Sequence, residues 1–387
     1  MPDLVALDLP AGPQFVQALT AVWGAGDAAA PIDQRLPLPA RERVLAMLKP
    51  AWVQTPSGRT RLRGAAPVEE GDALVMTTSG SEGEPKGVVL THSAVAASAK
   101  ATSARLGADP ARHRWLACLP LSHVGGLAVV TRAILTGAPL SVLERFDETA
   151  VMAEAGPEVL VSLVPAALRR TDPARFYKIL LGGSAAPPDL PPNVVTTYGM
   201  TETGSGVVYD GVALDGAEVR VTDGQVHLRG PMLLRCYRDG SVPLDKDGWL
   251  PTGDAGEVDA NGRLKVMGRL SDLIITGGEN VWPVAIERVI RQHKGVAEVA
   301  VSSRPDREWG ERVVACVVPA DAANPPRLEE LRALVKEQVA PFAAPRELVL
   351  VESLPKTSLG KLRRRALRAM LAGGLGQRGA QLDALGR

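Results

Sequence analysis

Short apolar runs alternate along most of the chain with segments in which apolar residues recur every three or four positions. Residues 73–76 and 159–164 are examples of the runs, which predict buried strands. Phe15, Leu19 and Trp23 are an example of the helical spacing. Because strands that alternate with amphipathic helices are typical of sheets covered by helices, the pattern predicts an α/β fold.

The length of the chain predicts a second domain. A single hydrophobic core of modest size does not need 387 residues, so we expect a large domain and a smaller one. Beyond residue 270, Pro283 is a suitable first helical residue, and Ile286, Val289 and Ile290 form an apolar stripe. These features predict a compact α/β piece at the end of the chain.

Composition excludes several classes of protein. The 44 Lys and Arg residues nearly balance the 43 Asp and Glu residues, so no global field attracts nucleic acid. No apolar run is long enough for a membrane span, and we expect no signal peptide. The three cysteines lie far apart, which predicts buried free thiols in a reducing, cytoplasmic setting. A homo-oligomer is compatible with this composition.

A loop rich in glycine and hydroxyl groups lies at residues 77–87, between two predicted strands. Backbone N–H groups and hydroxyls in such a loop can surround phosphate oxygens. It is not the P-loop of an ordinary NTPase, because Pro85 and Gly87 flank Lys86 and leave no hydroxyl for Mg²⁺. A plain glycine-rich hairpin is the alternative. The candidate phosphate-binding residues are Thr78, Ser79, Gly80, Ser81, Gly83 and Lys86.

A second segment, residues 194–202, places an aromatic ring, a glycine, a hydroxyl and a carboxylate directly after a predicted strand. Tyr198 suits stacking on a base, Thr201 suits contact with phosphate, and Glu202 suits Mg²⁺. This segment and the glycine-rich loop resemble the signatures of the adenylate-forming superfamily, which includes acyl-CoA and aryl-CoA synthetases. The loop departs from that signature at Glu82, where members usually carry threonine.

Further motifs follow in the order that the superfamily uses, so that the resemblance covers residues 73–365. It implies that Asp254 binds the ribose hydroxyls, that Arg269 meets ribose or phosphate, and that Lys361 is the catalytic lysine. It also implies that Gly182 and Gly183 form one wall of the adenine and acyl pocket. From the residues alone, a strand exit at the glycine pair and a basic tail around Lys361 remain alternatives.

The resemblance also implies a domain junction near Arg269. Residues 1–269 would form an N-terminal adenylation domain, and residues 270–387 a small, mobile α/β C-terminal domain. Ser271 and Asp272 are the candidate hinge residues, and the sequence does not decide between them.

His123 lies where a predicted strand ends, ahead of Gly125 and Gly126, and we expect a helix to follow Gly126. A lone histidine is more often structural. In the superfamily, however, this position lines the acyl pocket, so His123, Gly125 and Gly126 are candidate substrate residues.

The reaction that the resemblance implies has two steps. A small carboxylic acid attacks the α-phosphorus of ATP with Mg²⁺, and coenzyme A then displaces AMP from the acyl-adenylate. The short chain and residues 121–126 are most similar to the branch of the superfamily that ligates 2-succinylbenzoate to CoA for menaquinone biosynthesis. A CoA ligase for another aryl or short acyl acid and a non-catalytic nucleotide-binding relative are the alternatives.

Overall fold

The computed structural model of the protein describes residues 1–79, 85–187, 189–356, 362–373 and 380–382. The strands, numbered in chain order, are β1 (Leu4–Leu7), β2 (Ala28–Pro31), β3 (Trp52–Thr55), β4 (Gly58–Arg61), β5 (Asp72–Ser79), β6 (Pro85–Thr91), β7 (Arg114–Ala117), β8 (Leu140–Val142), β9 (Val159–Leu163), β10 (Lys178–Leu181), β11 (Val194–Met200), β12 (Ser205–Tyr209), β13 (Val212–Ala213), β14 (Glu218–Thr222), β15 (Gln225–Arg229), β16 (Cys236–Tyr237), β17 (Leu250–Val258), β18 (Leu264–Arg269), β19 (Ile274–Thr276), β20 (Glu279–Val281), β21 (Val296–Asp306), β22 (Gly310–Pro319), β23 (Glu347–Leu350) and β24 (Ala380–Leu382).

Within the described residues, helices connect nine pairs of consecutive strands, which confirms the predicted α/β class. They are α1 (Pro13–Gly24), α2 (Leu38–Leu48), α3 (His92–Leu106), α4 (Val124–Thr136), α5 (Glu148–Ala153), α6 (Pro165–Leu168), α7 (Pro283–Ile290), α8 (Leu328–Gln338) and α9 (Arg364–Ala372). Short 3-10 turns lie at Pro173–Arg175, Thr201–Thr203, Leu270–Asp272 and Pro341–Ala343. Within the described residues, no helix is both long and apolar enough to cross a membrane.

The chain divides into two compact units. The first comprises Met1–Arg220, His227–Pro251 and Asp259–Leu264, and the second comprises Val221–Val226, Thr252–Val258 and Lys265–Arg387. This division assigns two short segments before residue 265 to the second unit. The functional boundary expected after residue 269 therefore stays a prediction.

One sheet of the first unit carries the glycine-rich loop. Its strand order is β16-β6-β5-β2-β1-β3-β4. β5 and β6 are antiparallel, and Thr78 lies opposite Lys86. Val75 and Val89 are buried in the core beneath this pair. The apolar runs on either side of the loop thus form the two strands that the sequence predicts.

The other sheet of the first unit sets the position of several candidate residues. Its order is β13-β12-β11-β10-β9-β7-β8, and β7, β9, β10 and β11 run parallel. All five residues of β9 are buried. Because parallel strands end at the same edge of a sheet, the segments that follow β7, β10 and β11 share one edge. His123, Gly182 and Glu202 belong to these three segments.

The second unit has its own sheet and core. Its strands follow the order β20-β19-β22-β23-β24, with β21 paired to β22. Helices α7 and α8 bury Ile286, Leu331 and Val335 in this core. Pro283 is the first residue of α7, as its fixed backbone angle predicts.

The structure corrects the predicted start of α4. The helix begins at Val124, not after Gly126, so Gly125 and Gly126 lie in its first turn. A Cβ at Gly126 would overlap the carbonyl oxygens of Leu119 and Pro120. The missing side chain of Gly126 therefore lets the helix start against the preceding loop, a tertiary reason that local sequence does not reveal.

Candidate active site

Glu202 is presented by an abrupt end of β11. Met200 closes the strand, and the 3-10 turn Thr201–Thr203 follows. The Thr203 hydroxyl accepts a hydrogen bond from the Met200 N–H at 2.9 Å. This cap fixes the turn that holds both Thr201 and Glu202 partly exposed at the edge of the sheet.

Tyr237 links Glu202 to the lysine of the glycine-rich loop. Its hydroxyl donates to Oε1 of Glu202 at 3.0 Å, and Nζ of Lys86 lies 5.1 Å from the centre of its ring. Burial and the neighbouring Glu202 carboxylate raise the pKa of Tyr237, so the phenol stays protonated and remains a donor. The structure thus brings two predicted site residues together through a third that sequence analysis did not select.

The residues around Glu202 fit a magnesium ion that is shared with a bound nucleotide. Among the described residues, no three His, Cys, Asp or Glu side chains converge as a dedicated metal site. Mg²⁺ commonly takes one or two protein carboxylates and completes its shell with phosphate oxygens and water. Glu202 is partly exposed and uses Oε1 for Tyr237, so it can supply one such carboxylate.

Asp254 and Arg269 form a second predicted group, within the second unit. Nε of Arg269 lies 2.9 Å from Oδ1 of Asp254, and Nη1 of Arg269 donates to the Thr252 carbonyl at 2.8 Å. Asp254 is buried. A carboxylate that is held in this way can accept hydrogen bonds from ribose hydroxyls without reorganisation.

The backbone at Asp254 differs from the tight turn that sequence analysis expected. Residues 252–254 lie inside β17, and Gly253 kinks the strand with a φ of 72°. The Thr252 hydroxyl accepts from the Asp254 N–H and donates to the Val226 carbonyl, at 3.1 and 2.7 Å. These side-chain bonds stabilise a kink within a strand, so no chain reversal is needed.

The two candidate hinge residues differ in how firmly they are held. Asp272 pairs with Arg364 and with Arg368, each at 3.1 Å. Ser271 is exposed, and its carbonyl accepts from Arg368 at 2.6 Å. Since two arginines of α9 fix the Asp272 carboxylate, Ser271 is the less constrained of the pair.

His123 lies directly before α4 and contacts a charged pair from the segment after β2. Nε2 of His123 is 3.0 Å from Nη2 of Arg35 and 3.6 Å from Oδ2 of Asp33. Burial alone would raise the pKa of Asp33, but hydrogen bonds from His123 and Arg35 outweigh it and hold that pKa well below its usual value. The histidine is therefore part of a charged cluster, here called the Asp33–Arg35–His123 cluster.

Arg132 is a residue that sequence analysis missed. It lies on α4, is 2% exposed and donates to the Ser205 hydroxyl. Its Nε has no hydrogen-bond partner among the described residues. Burial lowers the pKa of this guanidinium. A charged residue within the apolar run 127–135 was the available signal.

A small cavity lies beside Arg132. Its lining includes Val124, Leu127 and Thr131 from α4 and Ser98 from α3, together with Arg132 itself. Its volume of about 10 Å³ is enough for a single water molecule, so it is a packing gap between α3 and α4.

The remaining candidates have varied surroundings. Thr78 and Tyr198 lie on β5 and β11, and Ser79 ends β5. A Cβ at Gly182 would overlap the Thr197 hydroxyl, so this glycine allows close packing against β11. Gly80, Ser81, Glu82, Gly83 and Lys361 lie outside the described residues, and their roles stay predictions.

Known proteins match both parts of the chain. The AMP-binding enzyme family matches residues 50–237, and the AMP-binding enzyme C-terminal domain matches residues 285–361. A relative from Mycobacterium tuberculosis (strain ATCC 25618 / H37Rv), a probable 2-succinylbenzoate–CoA ligase, is 40% identical over 367 residues. The match covers 87% of this chain and 95% of the relative. The chain belongs to the AMP-binding enzyme family.

Solved structures of the family have the same fold. The o-succinylbenzoate CoA synthetase (MenE) of Bacillus subtilis, in complex with the acyl-adenylate intermediate OSB-AMP, aligns with a TM-score of 0.83 and 28% identity. The alignment covers 95% of this chain and 88% of that one. The same enzyme in complex with ATP and a magnesium ion gives a TM-score of 0.82 and 27% identity. The family resemblance and the α/β architecture with a large N-terminal and a small C-terminal domain are thereby confirmed.

Proposed function

We propose that the protein is an ATP-dependent ligase that joins 2-succinylbenzoate to coenzyme A, releasing AMP and pyrophosphate, as a step of menaquinone biosynthesis. The names and bound ligands of the relatives support this reaction. The observation in this chain that supports this substrate is the Asp33–Arg35–His123 cluster, in which a guanidinium lies beside the candidate substrate residue His123.

The adenylation step requires the chain to bring two anions together. The carboxylate of the acid attacks the α-phosphorus of ATP, and pyrophosphate leaves. Lys86, carried on β6, and Lys361 would oppose this repulsion, and Glu202 would hold Mg²⁺, which neutralises phosphate charge when bound. The thiol of coenzyme A then attacks the acyl carbonyl, and AMP leaves.

The acid has a second carboxylate that does not react, and the pocket must bind it. Nη2 of Arg35 lies 3.0 Å from Nε2 of His123, and a planar guanidinium suits a carboxylate. We assign the aryl carboxylate to His123, with Arg35 as the neighbouring positive charge.

A panel of acids tests this function. Purified protein with ATP, Mg²⁺ and CoA should release pyrophosphate and form a thioester with 2-succinylbenzoate. The value of kcat/KM should exceed that for 4-phenylbutyrate by orders of magnitude, because a monoacid leaves the polar groups of the pocket unpaired. His123→Ala should reduce this ratio. Comparable turnover of benzoate, a medium-chain fatty acid and 2-succinylbenzoate would refute the substrate, and no turnover of any acid would refute the ligase.

A further inference from the structure

We propose that Tyr237 is a positioning residue that holds Glu202 and Lys86 in the arrangement that Mg²⁺·ATP requires. This inference rests on the nucleotide site of the proposed function and names a residue that does not itself touch the reacting atoms.

The first support is the direct contact with Glu202. The Tyr237 hydroxyl donates to Oε1 at 3.0 Å. A carboxylate that accepts one fixed hydrogen bond loses rotational freedom and presents its other oxygen in a defined direction. Partners of this kind commonly change metal affinity by about ten- to a hundredfold when they are removed.

The second support is the backbone around Tyr237. The N–H of Leu234 donates to the Glu202 carbonyl at 2.7 Å, and the N–H of Arg238 donates to the Gly87 carbonyl at 2.7 Å. Tyr237 itself lies opposite Val88 in the pairing of β16 with β6. Residues 234–238 therefore connect the backbone of Glu202 to β6, the strand that follows the glycine-rich loop.

The third support is the position of the ring. Nζ of Lys86 lies 5.1 Å from the ring centre, within the range of a cation–π interaction. Arg238, the next residue, anchors the segment by donating to the carbonyls of Leu48 and Pro67, at 2.9 and 2.8 Å. The backbone contacts of this segment thus hold the Tyr237 ring in place, and the ring can restrain Lys86 when no nucleotide is bound.

The test measures nucleotide and metal binding by the full chain without acid or CoA. ATP is added with Mn²⁺ in place of Mg²⁺, and free Mn²⁺ is read by electron paramagnetic resonance. Tyr237→Phe keeps the ring and removes the hydroxyl, so Mn²⁺ affinity of the ATP complex should fall about tenfold. Tyr177→Phe is the matched control, because that ring stacks on His113, in contacts that do not include the nucleotide residues. Its Mn²⁺ affinity should equal that of wild type.

Two further variants separate the two contacts. In a Glu202→Gln background, Tyr237→Phe should cause no additional loss of Mn²⁺ affinity, since the carboxylate that Tyr237 positions for the metal is already gone. Tyr237→Leu also removes the ring, and it should weaken metal-free ATP binding more than Tyr237→Phe does. Unchanged Mn²⁺ affinity in Tyr237→Phe, or an equal loss in the Glu202→Gln background, would overturn the inference.

This test of Tyr237 does not depend on which acid the protein activates. If Tyr237→Phe weakens Mn²⁺ binding as expected while 2-succinylbenzoate is not activated, the proposed substrate is wrong and the role of Tyr237 stands. Thermal unfolding of each variant verifies that it is folded, and Tyr237→Phe alone decides the outcome if Tyr237→Leu does not fold.

Discussion

Nη2 of Arg35 lies 3.0 Å from Nε2 of His123, while the same guanidinium binds both carboxylate oxygens of Asp33, at 2.7 and 2.8 Å. Nε2 of His123 can accept from Arg35 in one tautomer and donate toward Asp33 in the other. A ligand carboxylate at His123 would therefore meet the field of Arg35 as well. His123 and Arg35 are the accessible members of the Asp33–Arg35–His123 cluster, and Asp33 is the least accessible.

Asp33→Asn should lower the free energy of unfolding by about 2 kcal/mol at pH 7, because hydrogen bonds to a charged group are lost. The folded-state pKa of Asp33 lies below its ordinary value of 3.8. The stabilisation is thus present above that value and is lost as the pH falls toward the folded-state pKa. Urea unfolding from pH 7 down to pH 3 measures it. Asp215→Asn, at an exposed carboxylate, should have no effect, and a wild-type advantage that grows below pH 5 would contradict the prediction.

Much of the fold could be predicted from the sequence, because periodicity reports burial directly. Phe15 and Leu19 are buried on α1, and residues 159–163 form a buried strand. The Thr91 hydroxyl caps α3 by accepting from the Ala94 N–H at 3.1 Å, as its position before an apolar run predicts. The predicted start of α4 was wrong, because the contact between Gly126 and the preceding loop is a tertiary property.

A residue of the candidate site could be predicted from the sequence only where it belongs to a short motif whose residue types indicate its chemical role. Glu202 and Asp254 follow from motifs, whereas Tyr237 lies outside every motif, and its partner is 35 residues distant along the chain. The surroundings of Arg132 could not be predicted from the sequence either. Its sequence context marks it as unusual, but only the fold reveals that its Nε has no hydrogen-bond partner in the part of the chain that the structure describes.

Arg132→Met should test whether the buried cation has a structural role only. Replacing a buried, incompletely paired cation by an apolar side chain of similar length is often neutral or stabilising. Unfolding stability should therefore hold or rise, and kcat/KM for 2-succinylbenzoate should stay close to that of wild type, because the gap beside Arg132 has no room for the acid. Urea unfolding and the thioester assay measure the two quantities. A loss of activity toward 2-succinylbenzoate that is not matched for 4-phenylbutyrate would place the aryl carboxylate at Arg132 instead.

Asp254→Asn should weaken ATP binding by about tenfold, since hydrogen bonds to a charged acceptor are worth about 1.5–3 kcal/mol. Calorimetric titration with ATP, 2′-deoxy-ATP and 3′-deoxy-ATP resolves the cause. If Asp254 accepts from the ribose hydroxyls, the variant should lose less affinity for the deoxy analogues than for ATP. An identical loss for all three nucleotides would place the effect in the Asp254–Arg269 pair rather than in ribose recognition.

Ser271→Pro should change the two half-reactions unequally, because proline fixes φ at the less constrained candidate hinge residue. Ser271→Ala is the matched control, since it removes the hydroxyl and leaves the backbone free. Adenylation is followed by pyrophosphate release, and thioester formation by the consumption of supplied acyl-adenylate. A folded Ser271→Pro variant with both wild-type rates would remove this residue from the mechanism.

Lys361→Ala should slow adenylation by about a hundredfold or more, the effect of losing one strong electrostatic donor at the developing charge. Thioester formation from supplied acyl-adenylate should survive, because the anionic pyrophosphate has already left. Lys356→Ala is a matched control from the same segment, since Nζ of Lys356 pairs with Glu298 at 2.5 Å and so has a structural partner. Single-turnover measurement of both half-reactions distinguishes the two lysines. Equal losses in both half-reactions of Lys361→Ala, or a comparable adenylation defect in Lys356→Ala, would reassign the catalytic charge.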